Sequence, residues 1–82
     1  MARIAIDMPN LGSDKTTGVV VAWSKTVGDL VARGDVIAEI ETDKTTVEME
    51  ALAGGILVEI VHGAGEEVAV GDPIGFLEDG SS

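Results

Sequence analysis

The residue best placed for chemistry is a lysine. Lys44 stands in the run Glu41-Thr42-Asp43-Lys44-Thr45-Thr46, with Glu39 just upstream and Glu48 and Glu50 just downstream. Carboxylates around an amine favour its protonated form. A lysine that acts as a general base or Schiff-base former needs burial or a cationic neighbour to fall from about 10.4. The sequence around Lys44 supplies neither, so Lys44 makes a poor catalyst. Its position does suit modification by another enzyme. On residue type alone the plainer reading outweighs that one, because a turn lysine is usually a solvated charge.

The remaining candidates read as structural. His62 is the only histidine and there is no cysteine, so a metal site of the usual kind has no ligand set. His62 also precedes Gly63 in a turn-like stretch, which predicts solvent exposure and not catalysis. Asp35 and Asp72 resemble an acid pair, yet each follows a glycine in an equivalent turn, so turn bonding is expected. Gly63-Ala64-Gly65 lacks the signature of a phosphate loop, and no helix start follows it. Trp23 is read as packing at a strand end in preference to touching a partner. No catalytic and no metal-binding residue is predicted, and an enzyme acting on its own is not expected.

Placing Lys44 requires a hairpin. Val36, Ala38 and Ile40 alternate with Ile37, Glu39 and Glu41, and Val47, Met49 and Ala51 alternate with Glu48 and Glu50. Period-2 alternation gives half-buried strands with their glutamates in water. Asp43 suits a turn, because its carboxylate can accept bonds from nearby amides. The reading is a β-hairpin with Asp43 and Lys44 at its tip.

Other β-branched runs, Ile4 to Ile6, Val19 to Val21 and Ile56 to Val61, lie between glycine punctuators. Many short strands with closely spaced turns predict an all-β sandwich or barrel. The stretch Lys25 to Val31 could form one helical turn, although Gly28 weakens it.

The chain also repeats itself. At a shift of 37 positions Gly18 meets Gly55, Val21 meets Val58, Gly28 meets Gly65 and Val31 meets Val68. Gly34-Asp35 then meets Gly71-Asp72, and Ile37 meets Ile74. The simplest cause is two similar strand-turn-strand halves related by a pseudo-twofold axis. The segment from Glu41 to Glu50 lies between the halves, where a function present only once would sit.

Composition narrows the classes. The chain has 82 residues, 15 acids against 5 lysines and arginines, and a formal charge of −10. That length fits one domain with a thin core and little room for a deep cleft. The acidic surface argues against nucleic acid and anionic membranes, and permits attraction to a basic protein. No apolar run approaches the roughly 20 residues needed to cross a bilayer, so the domain reads as soluble and intracellular. Lack of cysteine fits a reducing compartment.

The hairpin run Glu41-Thr42-Asp43-Lys44-Thr45-Thr46 resembles the lipoyl-attachment motif of 2-oxo acid dehydrogenase complexes. Met8-Pro9-Asn10-Leu11-Gly12 resembles that family's opening strand and surface loop. Gly18 through Trp23 resembles its next strand, and Gly28-Asp29, Gly34-Asp35 and Gly71-Asp72 match its turns. The likeness runs from about Ile4 to Leu77. It implies a flattened β-barrel, or barrel-sandwich hybrid, of two four-stranded antiparallel sheets with quasi-twofold symmetry. The modified lysine then sits on a hairpin of one sheet, with the termini in the other. Residues 1–78 are read as the lipoyl domain and 79–82 as the start of a linker or an artificial end. A longer, multidomain chain is expected.

The resemblance further implies a cofactor, lipoate in amide linkage to Lys44, with Asp43 and Thr45 marking the lysine for a lipoyl-attaching enzyme. The implied partners are a thiamine-diphosphate 2-oxo acid dehydrogenase, an acyltransferase catalytic domain using coenzyme A, and dihydrolipoamide dehydrogenase. The domain would be a monomeric carrier, in the cytoplasm or in the mitochondrial matrix of a eukaryote. The related biotinyl carrier domains flank their lysine with methionines, whereas Asp43 and Thr45 stand here. A biotinyl carrier and an unmodified assembly module are the alternatives. One departure is Lys15-Thr16-Thr17, where many pyruvate-type domains carry a methionine and acids; it bears on which thiamine enzyme is the partner.

Overall fold

β-Branched residues favour extended backbone because their side chains are stiff at χ1 and pack well on a pleated surface. The computed structural model describes residues 2–10, 16–42 and 45–79, and there the apolar runs become strands. These are β1 (Arg3–Asp7), β2 (Thr17–Trp23), β3 (Leu30–Val31), β4 (Val36–Glu41), β5 (Thr46–Glu50), β6 (Gly55–Ile60), β7 (Glu67–Ala69) and β8 (Pro73–Glu78). They form two antiparallel four-stranded sheets, with orders β1-β8-β6-β3 and β5-β4-β2-β7. Strand pairing stays within each sheet, so the fold is a sandwich and not a closed barrel.

The repeat explains this topology. Residues 36–41 and 73–78 are the same strand in the two halves, and β2 and β3 correspond to β6 and β7. Under that correspondence, with β1 equivalent to β5, one sheet order becomes the other. The short strands are exchanged, however. β3 from the first half pairs with β6, and β7 from the second half pairs with β2. The Gly28 amide donates to Leu57 O at 2.7 Å, and the Leu57 amide donates to Asp29 O at 3.0 Å. The reciprocal bonds run from Gly65 to Val20 O at 2.6 Å and from Val20 to Glu66 O at 2.9 Å. Each half therefore completes the other's sheet.

The core lies between the sheets and inherits the same symmetry. Val20 and Leu57, Val31 and Val68, Ile37 and Ile74, and Ile40 and Leu77 are equivalent pairs, and all are buried. Where the repeat changes residue, packing gives the reason. Ala38 corresponds to Gly75, and a Cβ on Gly75 would stand 2.8 Å from Glu59 O and 2.9 Å from the Trp23 ring. Trp23 fills that volume, and its Nε1 donates to His62 O at 2.9 Å.

Two expectations need correction. Alternation put Ile37 on the outward side with Glu39 and Glu41, but Ile37 and Ala38 are both buried. The β4–β5 register shifts between Val36 and Ala38, and such a bulge turns successive side chains to one face. The stretch Lys25 to Val31 forms no helix; Asp29 N bonds Thr26 O at 2.9 Å in a turn, and Leu30–Val31 then extends as β3.

The equivalent turns at Gly34 and Gly71 have φ of 92° and 93°, and a Cβ at either would meet nothing within 4 Å. Alanine there is opposed by backbone conformation alone, at about 1–2 kcal/mol each. Gly34→Ala and Gly71→Ala should lower the urea midpoint by similar amounts at unchanged slope. Gly75→Ala, which clashes, should cost more.

Candidate functional site

The hairpin of β4 and β5 is formed as its pattern predicts from Ala38 to Met49. Ile40 pairs with Val47 and Ala38 with Met49 on the inner side, while Glu39 pairs with Glu48 outside. Glu41 pairs with Thr46 at the far end, and both are exposed. Beyond them Thr42 and Thr45 close the hairpin. Thr42 N donates to Thr45 O at 2.8 Å, and Thr42 Oγ1 donates to the same oxygen at 3.1 Å. Thr45 N stands 3.2 Å from Thr42 Oγ1 as donor. Asp43 and Lys44, the predicted tip, lie outside the described residues, as does Lys15 of the loop before β2. Of the predicted attachment set only Thr45 is described, and it is exposed on the closed hairpin end.

Glu39 and Glu48 face each other directly, an arrangement of like charges that disfavours pairing. With Glu41 and Glu50 they make the outer side of this hairpin acidic. The inner pairs against the core hold the strands together in spite of that repulsion.

The quasi-twofold relation also locates the chain ends. Asp79 and Ala2 occupy in the other sheet the places that Thr42 and Thr45 occupy here, and Asp79 N donates to Ala2 O at 3.0 Å. The hairpin end and the meeting of the termini are thus equivalent sites in opposite sheets.

The other candidates are accounted for locally. His62 is partly exposed in its turn, and its Nδ1 lies 2.9 Å from Glu66 Oε1, a pairing the sequence reading did not include. Glu66 Oε2 accepts from the Gly63 amide at 2.7 Å. Asp29, its counterpart in the repeat, accepts from Thr26 N at 2.8 Å. Asp35 accepts from the Ala32 amide at 2.9 Å, as turn bonding predicts, with Lys25 Nζ at 3.6 Å. Asp72 donates its backbone amide to Ala69 O at 3.0 Å in the matching turn. Among the described residues no group of His, Asp and Glu could hold a metal ion.

One feature has little trace in the amino-acid pattern, an apolar groove of about 450 Å³ between β1 and β5. Ile6, Ile37 and Leu77 belong to its inner wall, and Val47 and Met49 to the hairpin side. The signal for it was present only as apolar alternation on two strands that the sequence does not place side by side.

Comparison with known proteins decides the family. The model described as "Biotin-requiring enzyme", the biotin/lipoyl domain, matches residues 4–77. The chain belongs to the biotin/lipoyl-attachment domain family. Within that family the relatives point to lipoyl domains. The solution structure of the lipoyl domain of the 2-oxoglutarate dehydrogenase complex from Azotobacter vinelandii has a TM-score of 0.78 and 37% identity, over 95% of this chain and 99% of that one. The dihydrolipoyllysine-residue acetyltransferase component 3 of the mitochondrial pyruvate dehydrogenase complex of Arabidopsis thaliana is 47% identical over 90% of this chain and 14% of its own length. A pyruvate dehydrogenase E1 component subunit beta from Rhizobium meliloti is 44% identical over 96% of this chain and 18% of its own length. The lipoyl domain described here thus spans less than a fifth of those two chains. It is a carrier domain and not the acyltransferase itself.

Two outcomes follow for this lipoyl domain. Thr42→Ala removes a hydroxyl that both donates to and accepts from Thr45, and should destabilise by about 1 kcal/mol. The Thr45 amide should then exchange faster with deuterium than its neighbours in β5. The second concerns acid. The His62 ring and then the Gly63 amide hold the Glu66 carboxyl below its ordinary 4.5. A lowered carboxyl contributes stability that is complete above the ordinary value and lost as pH falls through the lowered one. Glu66→Gln should flatten the part of the stability curve that falls below about pH 4.5, read by urea melts across pH.

Proposed function

We propose that Lys44 bears a lipoyl group in amide linkage and that the domain carries it between active sites of a 2-oxo acid dehydrogenase complex. The observation that carries this reading is the hairpin end: Thr42 and Thr45 close β4 on β5 within hydrogen-bonding distance, with exposed residues on both sides. An amine carried just beyond such an end is one that a modifying enzyme could reach, which supports the reading. The non-methionine flanks Asp43 and Thr45 and the kinship with lipoyl domains favour lipoate over biotin.

In this reading Asp43 and Thr45 mark Lys44 for a lipoyl-attaching enzyme. The cofactor, once bound, supplies a disulfide ring able to accept an acyl group and two electrons. The protein's own residues do the rest by position. Amide formation removes the lysine charge and leaves Glu39, Glu41, Glu48 and Glu50 to set the field around the arm's base, which suits basic surfaces on partner enzymes. Tethering raises the arm's effective concentration at each partner. The partners proposed are a thiamine-diphosphate dehydrogenase that acylates the arm, an acyltransferase domain that passes the acyl group to coenzyme A, and dihydrolipoamide dehydrogenase. The unit would be residues 1–78, with 79–82 opening a linker within an acyltransferase chain, in the cytoplasm or mitochondrial matrix.

The test is the intact mass of protein made with a lipoyl ligase, a biotin ligase and both cofactors present. A lipoyl-sized increase is expected for the natural chain and none for Lys44→Ala. Exchanging Asp43 and Lys44, which moves the amine one place, should abolish the increase without changing the circular dichroism spectrum. A biotin-sized increase, or none, would overturn the reading.

A further inference from the structure

Two long strands lie at the edges of the sandwich, β1 in one sheet and β5 in the other. Among the described residues each is paired on one side only, β1 with β8 and β5 with β4. An unpaired edge presents a row of amides and carbonyls to any extended strand with matching side chains. The β1 edge is regular. Its register against β8 shifts between Ile6 and Asp7, but the extra residue is Ile74 of β8. Ala2 O accepts from the Asp79 amide, and Met8 donates to Asp72 O and accepts from the Gly71 amide. Backbone groups alternate in direction along a strand, so the even residues bond toward β8, and Arg3, Ala5 and Asp7 direct theirs to the open side. The side chains of these three are exposed, while Ile4 is half-buried and Ile6 buried on the core side.

We infer that the β1 edge is a self-pairing site, taken by β1 of a second copy of this chain in antiparallel register centred on Ala5. Charge selects the register. Arg3-Ile4-Ala5-Ile6-Asp7, set against its own reverse, places Arg3 opposite Asp7 of the second copy and Asp7 opposite its Arg3. Ala5 then meets Ala5, and Ile4 meets Ile6 on the inner side. Opposite charges facing across strands stabilise a pair, and like charges oppose it. β5 offers no such match, because Thr46–Glu50 holds Glu48 and Glu50 and no cation in any register. β3 and β7 have two and three residues, too few to hold a second chain by edge pairing.

Pairing at β1 adds about six backbone hydrogen bonds, two at each of the three outward-facing pairs. It also lays Ile4 and Ile6 of both copies along the groove beside them, which they line. Arg3 already meets Glu59 and lies 4.5 Å from the centroid of the Phe76 ring. That ion pair is exposed and costs little to exchange, and a guanidinium has donors enough for two carboxylates. The twofold axis at Ala5 uses the same patch on both copies, so the contact closes at two. It joins the β1-β8-β6-β3 sheet to its own copy and leaves the β4–β5 hairpin in the other sheet. A contact confined to one short edge is smaller than a permanent interface. Two chains of charge −10 also repel each other unless salt screens them. The dimer is therefore weak and belongs to high protein concentration, with the monomeric carrier as the dilute form.

The test is sedimentation equilibrium of the natural chain from about 10 μM to about 1 mM in about 0.5 M salt, with amide NMR over the same range. A concentration-dependent dimer is expected. As it forms, the amides of Arg3, Ala5 and Asp7 should shift and exchange more slowly with deuterium, while Ile4 and Ile6 keep the protection they have. Arg3→Asp and Asp7→Arg, each alone, set like charges opposite one another and should weaken association about tenfold. Mixed in equal amounts, the two variants regain both opposite-charge pairs and should associate again as a heterodimer. The Trp23 indole resonance reports whether each variant is folded; should either fail to fold, the natural chain decides alone. A natural chain that stays monomeric up to about 1 mM in screening salt would overturn the inference. So would a dimer that leaves the β1 amides unshifted, or one that neither single variant weakens and their mixture does not restore.

Discussion

The exchange of β3 and β7 between the two halves is the constraint on which the rest depends. A two-residue strand and a three-residue strand cannot hold themselves together. Each is fixed by pairing with a long strand of the opposite half, through the reciprocal backbone bonds at Gly28–Leu57 and Gly65–Val20. The core pairs Val31–Val68 and Val20–Leu57 lie on these same strands, so strand exchange and core formation are one event. In an 82-residue chain with a single tryptophan and a single phenylalanine, that interlock does the work that bulk would do in a larger protein.

The symmetry also relates the hairpin end to the meeting of residues 2 and 79 in the opposite sheet. Because the halves are equivalent, the hairpin closed by Thr42 and Thr45 has a counterpart in the Asp79–Ala2 contact of the opposite sheet. The acidic pairing of Glu39 with Glu48 is tolerated because inner pairs such as Ile40–Val47 hold the hairpin to the core. The same inner pairs leave a seam between β1 and β5, and that seam is the groove.

Sequence reasoning read the hairpin from Ala38 to Met49 because one face is buried and the other solvated, which period 2 records directly. It failed at Ile37, where a bulge buries neighbouring residues and the period carries no sign of it. It recovered Asp35 as a turn residue from the repeated Gly-Asp pair, yet missed the pairing of His62 with Glu66, which corresponds to no motif. Gly75 looked like one glycine among eleven, and only the packed Trp23 ring and the Glu59 carbonyl explain why Ala38's counterpart has no side chain.

What the sequence determined by itself was local or repetitive. The strand-forming runs, the turns that need glycine and the uniqueness of Glu41 to Glu50 follow from residue type and spacing, as do the charge and the resemblance that points to Lys44. What the tertiary structure decided was which strands meet. Neither the exchange of β3 and β7 nor the approach of β1 to β5 is encoded in any short window, because both join residues more than about 20 positions apart. Pairing across such separations is selected by burial of the whole core at once, and that is a property of the folded chain.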